Sequence, residues 1–145
     1  MKKNILVSAC LLGENTRYDG QSKPCAEVLA LKEEYNLIPV CPEVLGGLPT
    51  PRTPSERRGS RVVMRDGRDV TENFLSGAER CYEIYLAEGC EMCILEARSP
   101  SCGVGEIYDG SFSGTLNEGN GVFAEYLISH GVRVVTEEEL SDFQK

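Results

Sequence analysis

Short apolar runs alternate with amphipathic stretches along this chain. Ile5-Leu6-Val7, Leu37-Ile38-Pro39-Val40, Cys93-Ile94-Leu95 and Val132 to Val135 are each bounded by polar or turn-forming residues. That is the pattern of strands buried on both faces of a parallel sheet. Pro39 has no N–H and is awkward for a central strand. Between these runs, apolar residues recur at helical spacing. A helix fits Ala26 to Glu34 through Val28, Leu29 and Leu31. A longer one begins at Thr71 and buries Phe74, Leu75, Ala78, Cys81, Tyr82, Tyr85 and Leu86 before Gly89 stops it. Asn120 is placed to cap a third helix, Gly121 to Ile128, which Gly131 ends. Thr136 is placed to cap a last one, Glu137 to Phe143.

The remaining segments are rich in turn formers. Arg61 to Val70 predicts a hairpin about Asp66-Gly67. Pro42 to Ser60 predicts a long, proline-stiffened functional loop, and Val104 to Gly119 an ordered loop or hairpin. Strand–helix alternation then gives the fold class: α/β, a single-domain three-layer α/β/α arrangement over residues 1–145, with a mostly parallel sheet. Ligands in such sheets bind beyond the carboxyl ends of the strands, so the active-site loops are expected there.

Composition narrows the class. A chain of 145 residues forms one domain with a real core. No apolar run approaches the ~20 residues needed to cross a bilayer, so no membrane partner is expected. Lys2-Lys3 before Ile5-Leu6-Val7 has the start of a signal peptide but neither its length nor its cleavage site. The segment is taken as the first strand and the protein as cytoplasmic. Net charge is −8, from 23 acidic and 15 basic residues, which argues against duplex nucleic acid as a partner. Arg52, Arg57, Arg58, Arg61, Arg65 and Arg68 still form a basic segment suited to an anionic ligand or a short RNA.

The seven cysteines carry the chemistry. An odd number in a cytoplasmic chain disfavours a disulfide framework and points to metal ligation or redox work. Cys10, Cys41 and Cys102 each follow a predicted strand, in the loops Ser8-Ala9-Cys10, Cys41-Pro42-Glu43 and Ser99-Pro100-Ser101-Cys102-Gly103. Structural zinc sites use paired knuckles and four ligands, whereas three single cysteines leave one coordination position open. Cys90-x-x-Cys93 is the rival, but a redox pair normally starts a helix, and Cys93 opens a strand. Cys25 and Cys81 are packing residues, with Cys25 placed near the loop after the first strand. Near the three cysteines, Glu43 suits proton transfer and Ser101 a hydrogen bond to a substrate heteroatom. Arg17 and Arg52 suit an anion or carbonyl, and Ser8 and Asp19 lie in the same loops. The single histidine, His130, ends a helix, which gives no support to a histidine-dependent hydrolase.

Four segments together resemble the domain-of-unknown-function 523 family, whose characterised members are thiouracil desulfidases. They are Val7 to Gly13 with Arg17-Tyr18-Asp19-Gly20, Cys41-Pro42-Glu43 with Gly46-Gly47-Leu48 and Pro51-Arg52, Ser99 to Gly103, and Gly119 to Ala124. The resemblance implies a [4Fe-4S] cluster held by Cys10, Cys41 and Cys102. It implies a substrate thiocarbonyl on the fourth iron and net hydrolysis to the oxo base and sulfide, without an external electron donor. It assigns proton transfer to Glu43 and substrate binding or protonation to Ser101; Ser8, Arg17, Asp19 and Arg52 are the expected substrate-binding residues. The expected substrate is a small thiolated pyrimidine, a 2-thiouracil-like base or nucleoside. Two other readings stand beside it: a non-catalytic cluster or metal carrier, and a thiol redox enzyme using Cys90 and Cys93.

Overall fold

The computed structural model describes residues 2–140. Four strands form one wholly parallel sheet: β1 (Lys3–Ser8), β2 (Tyr35–Val40), β5 (Cys90–Leu95) and β8 (Arg133–Thr136), in the order β2-β1-β5-β8. Pro39 sits on β2 at the sheet's edge, opposite Val7, so its missing N–H disturbs only one ladder.

The side chains of β1 alternate between two cores. Ile5 and Val7 pack with Val28 and Leu31 of the segment formed by α1 (Ala26–Ala30) and a 3₁₀ turn (Leu31–Glu33). Leu6 packs with Phe74, Ala78 and Cys81 of α3 (Thr71–Ala87), and with Phe123 and Leu127 of α4 (Val122–Ser129). The β1-to-β2 connection therefore covers one face and the later helices cover the other, giving three layers. The expected helix over Ala26 to Glu34 is shorter as an α-helix because its second half tightens into the 3₁₀ turn. β1 is the strand where the connections change side, and the crevice at its carboxyl end is where such sheets place ligands.

The segment after β2 differs most from expectation. Within Pro42 to Ser60 lie a one-turn helix, α2 (Pro42–Leu45), and a strand, β3 (Ser55–Arg58). β3 pairs antiparallel with β4 (Arg61–Met64), so the hairpin turns at Gly59-Ser60. Asp66-Gly67 does turn, but that turn closes only the isolated Val63–Asp69 bridge. Residues 104–119 form the hairpin β6 (Glu106–Tyr108) and β7 (Leu116–Glu118).

Two caps also differ. Gly121, not Asn120, stands at the N-cap of α4, and Asn120 Oδ1 instead accepts from the Gly105 N–H at 2.8 Å. Thr136 forms a full capping box with Glu139, on a 3₁₀ turn, Glu137–Glu139. The rest of the expected terminal helix, residues 141–143, lies outside the described residues. No described helix is long and apolar enough to cross a membrane.

Close backbone approach ties the helices to the loops that follow the strands. An added Cβ at Gly121 lies 2.4 Å from the Ser101 carbonyl carbon and 2.8 Å from the Cys102 nitrogen. Gly121→Ala is therefore expected to cost about 1–3 kcal/mol. It should also displace the Ser101–Cys102 loop. Chemical denaturation and cluster content after anaerobic reconstitution test both effects, and an unchanged midpoint with full loading rejects this packing argument.

Candidate active site at the sheet's carboxyl edge

Cys41, Cys10 and Cys102 follow β2, β1 and β5, which are adjacent in that order in the sheet. Strand adjacency alone brings the three loops together. A 3₁₀ turn (Ala9–Leu12) presents Cys10, α2 starts from Cys41 as its N-cap, and the third loop is stapled to α4. There, Ser99 Oγ accepts from the Ser101 and Cys102 N–H groups, while the Val122 and Phe123 N–H groups of α4 donate to the Pro100 and Ser101 carbonyls. The three cysteines line one cavity of about 430 Å³ together with Glu43, Arg52 and Ser101.

All three thiols are free. Burial pushes each pKa up, and for Cys10 the charges of Glu96, Cys102 and Cys41 add to it. For Cys41, the Val44 N–H opposes burial. Apart from a metal, then, these are neutral thiols, and a cationic iron centre would hold them as thiolates. No three described Cys, His, Asp or Glu side chains close around a single ion. Three soft sulfur donors, each from a separate loop and all lining one cavity, suit a cluster in which each thiolate binds a different iron.

A chain of polar contacts crosses the cavity wall. The Arg52 guanidinium donates to Glu43 Oε1 at 3.1 Å, and Ser101 Oγ donates to Glu43 Oε2 at 3.0 Å. Ser101 Oγ also lies 3.0 Å from Ser99 Oγ and 3.6 Å from Cys102 Sγ. Its single proton serves the carboxylate, the strongest acceptor, which leaves Ser99 to donate to Ser101. Arg52 is not an open anion hook. Its side chain is 3% exposed, and it also donates to the carbonyls of Thr16 and Pro49 and to Thr50 Oγ1. These contacts hold it against Glu43.

Ser8 is buried, with Oγ accepting from the Glu96 N–H at 2.9 Å. Arg17 lines the cavity, 3.2 Å from Glu96. Asp19 does not line it. Its carboxylate accepts from the Gln21 N–H in an Asx turn, which shapes the loop. Ser99 and Glu96 are absent from the sequence-based site. Ser99 could have been found from the Ser-x-Ser-Cys spacing, whereas Glu96 gives no signal beyond standing at a strand end. The non-glycine residues with positive φ among those described, Arg98 (65°) and Phe112 (57°), also line the cavity. Carboxylates hold both in place, Glu138 paired with Arg98 and Glu56 accepting from the Phe112 N–H.

The other cysteines and His130 do not line the cavity. Cys90 and Cys93 stand within β5, not at a helix start, and burial raises both thiols, Cys90 to about 11. That is the opposite of an activated redox pair. Cys81 is fully buried against α3's neighbours, and the Cys25 N–H donates to the Leu11 carbonyl beside the Cys10 turn. His130 caps α4 and stacks on Tyr126. Of the arginine segment, Arg57, Arg61 and Arg68 pair with Glu125, Asp69 and Asp66, so it presents no continuous basic face.

Fold and site together define a class: a parallel α/β protein with three strand-end cysteines and an anchored carboxylate lining one cavity. A family model described as 2-thiouracil desulfurase matches residues 5–139. The chain belongs to that family. It is 39% identical over 148 residues to the protein YbbK of Bacillus subtilis (strain 168), covering 95% of this chain and 98% of that one. It is 47% identical to the solved structure of a [4Fe-4S]-dependent thiouracil desulfidase, TudS, with a TM-score of 0.91, covering 97% of this chain and 95% of that one.

Arg52→Lys is expected to keep the cluster but lower kcat roughly 10-fold, because a lysine cannot span four acceptors and release of Glu43 misplaces it. KM should change less. A KM rise at constant kcat, measured with a thiolated base, would instead return Arg52 to substrate binding.

Proposed function

We propose that this protein is a [4Fe-4S]-dependent desulfidase that replaces the sulfur of a small thiolated pyrimidine with oxygen. It acts as one domain over residues 1–145, in the reducing cytoplasm that seven free thiols suit. The observation that carries the reading is the Arg52–Glu43–Ser101 chain facing the same cavity as Cys10, Cys41 and Cys102. Cys10, Cys41 and Cys102 would hold the cluster, which would supply a Lewis-acidic iron for the thiocarbonyl sulfur. Glu43 takes the proton of the water that attacks the ring carbon. Ser101, hydrogen-bonded to Glu43, holds and returns a proton at the reacting heteroatom. The balance is thiocarbonyl plus water to carbonyl plus hydrogen sulfide, with no net electron transfer.

The test is anaerobic reconstitution followed by incubation with 2-thiouracil. Equimolar uracil and sulfide are expected. A loaded protein that releases no sulfide from any thiolated base or nucleoside would make it a carrier instead.

A further inference from the structure

Besides the Glu43 chain, the cavity holds a second carboxylate–guanidinium pair that proton transfer does not use. Glu96 follows Leu95, the last residue of β5, and its N–H is fixed on Ser8 Oγ where β1 and β5 end side by side. Its side chain is 16% exposed, with Oε2 3.2 Å from Arg17 Nε. The two pairs differ in one respect. Arg52 is saturated by protein acceptors, whereas among the described residues the Arg17 Nη groups and Glu96 Oε1 have no hydrogen-bond partner. Both residues line the cavity with Cys10 and Cys102, and the charge of Glu96 is felt at both thiols. An acceptor and a fork of donors thus stand side by side next to the cluster ligands, unfilled.

A uracil-type ring carries the matching edge. Next to its thiocarbonyl is a ring N–H, and next to that a carbonyl. We propose that Glu96 and Arg17 determine base specificity, Glu96 accepting from that ring N–H and Arg17 donating to the ring carbonyl. A cytosine-type ring presents a lone pair and an amino group at the same two places. It sets acceptor against acceptor and donor against donor, which buried polar groups reject strongly. The proposal rests on the desulfidase reading for its substrate class. It adds a residue, Glu96, and a rule for which bases are refused.

The experiment needs no variant at first. Cluster-loaded protein is titrated calorimetrically with uracil, 3-methyluracil and cytosine, and sulfide release is measured with 2-thiouracil, its N3-methyl derivative and 2-thiocytosine. Uracil is expected to bind at least about 10-fold more tightly than the other two, with a similar or larger ratio in kcat/KM. Glu96→Gln, whose amide offers donor and acceptor alike, should narrow the uracil-to-cytosine ratio rather than lower both affinities equally. Equal binding of uracil and 3-methyluracil overturns the proposal, as does an equal loss for all bases in Glu96→Gln, the mark of a tie that merely holds the loop. Selective uracil binding without sulfide release leaves the pair standing and removes the desulfidase reading. Sulfide release that ignores N3-methylation does the reverse.

Discussion

Substituting Cys102 with serine is expected to abolish cluster retention and to lower desulfuration by more than roughly 100-fold, beyond what the loss of a merely supporting group costs. Cys10→Ser and Cys41→Ser should do the same. A serine hydroxyl is a poor ligand for iron, and two remaining thiolates cannot anchor the cluster at three corners. The control is Cys81→Ala. Cys81 is more buried than any of the three, and it packs against α3's partners. Its loss should cost about 1 kcal/mol of fold stability and leave the iron content unchanged. Iron and acid-labile sulfide per chain, with the charge-transfer absorbance, separate the two results. Full loading of any of the three ligand variants rejects the ligand set. Because burial holds the three thiols neutral, loading must release their protons, so reconstitution should slow as pH falls.

The sequence revealed this centre because strand ends are legible. Ile5 to Val7, Leu37 to Val40 and Cys93 to Leu95 are apolar without alternation, the pattern of strands in a parallel sheet covered on both faces. Each leads into its cysteine loop, directly for Cys41 and seven residues past Leu95 for Cys102. That the three strands are neighbours is a topological fact the pattern does not contain, and the order β2-β1-β5 supplies it. Pro39 pointed the right way, since a strand tolerating proline belongs at an edge.

The failures have equally local causes. β3 reads Ser-Glu-Arg-Arg and shows no apolar alternation, because Glu56 and Arg57 are engaged in hydrogen bonds to other segments rather than in a core. Asp66-Gly67, a stronger turn pair than Gly59-Ser60, drew the hairpin one turn too far along the chain. α2 is a single turn, too short to have a period. The roles of charged residues were the least legible. Arg17 and Arg52 look alike in sequence, and only the four acceptors around Arg52 show that it is occupied. Asp19, Glu43 and Glu96 are all loop acids by composition. One shapes a turn, one is gripped by an arginine and a serine, and one is half-buried with an open oxygen.

Glu43→Gln should leave the cluster in place and lower kcat by roughly 10²–10⁴-fold, the range for removing a positioned proton acceptor. The substitution is nearly isosteric, and Cys41, two residues away, keeps its place at the head of α2. What changes is the hydrogen-bonding character. Glu43 uses one oxygen for Arg52 and the other for Ser101, so both its partners are donors. An amide has a single oxygen. If that oxygen stays on Arg52, the amide N–H faces Ser101, whose hydroxyl must turn away to Ser99 Oγ or Cys102 Sγ. Either way the proton route from Glu43 through Ser101 is broken while the packing is kept. Glu43→Asp tests distance separately, since it retains the charge but withdraws it by one methylene from both partners. It should fall between wild type and Glu43→Gln in kcat, with iron content unchanged in each. Ser101→Ala, which removes the relay but leaves the carboxylate on Arg52, should lose less than Glu43→Gln. The order Glu43→Gln below Ser101→Ala, at constant cluster loading, marks Glu43 as the proton acceptor. Full turnover by Glu43→Gln would remove it from the chemistry and leave the carboxylate a structural anchor for Arg52.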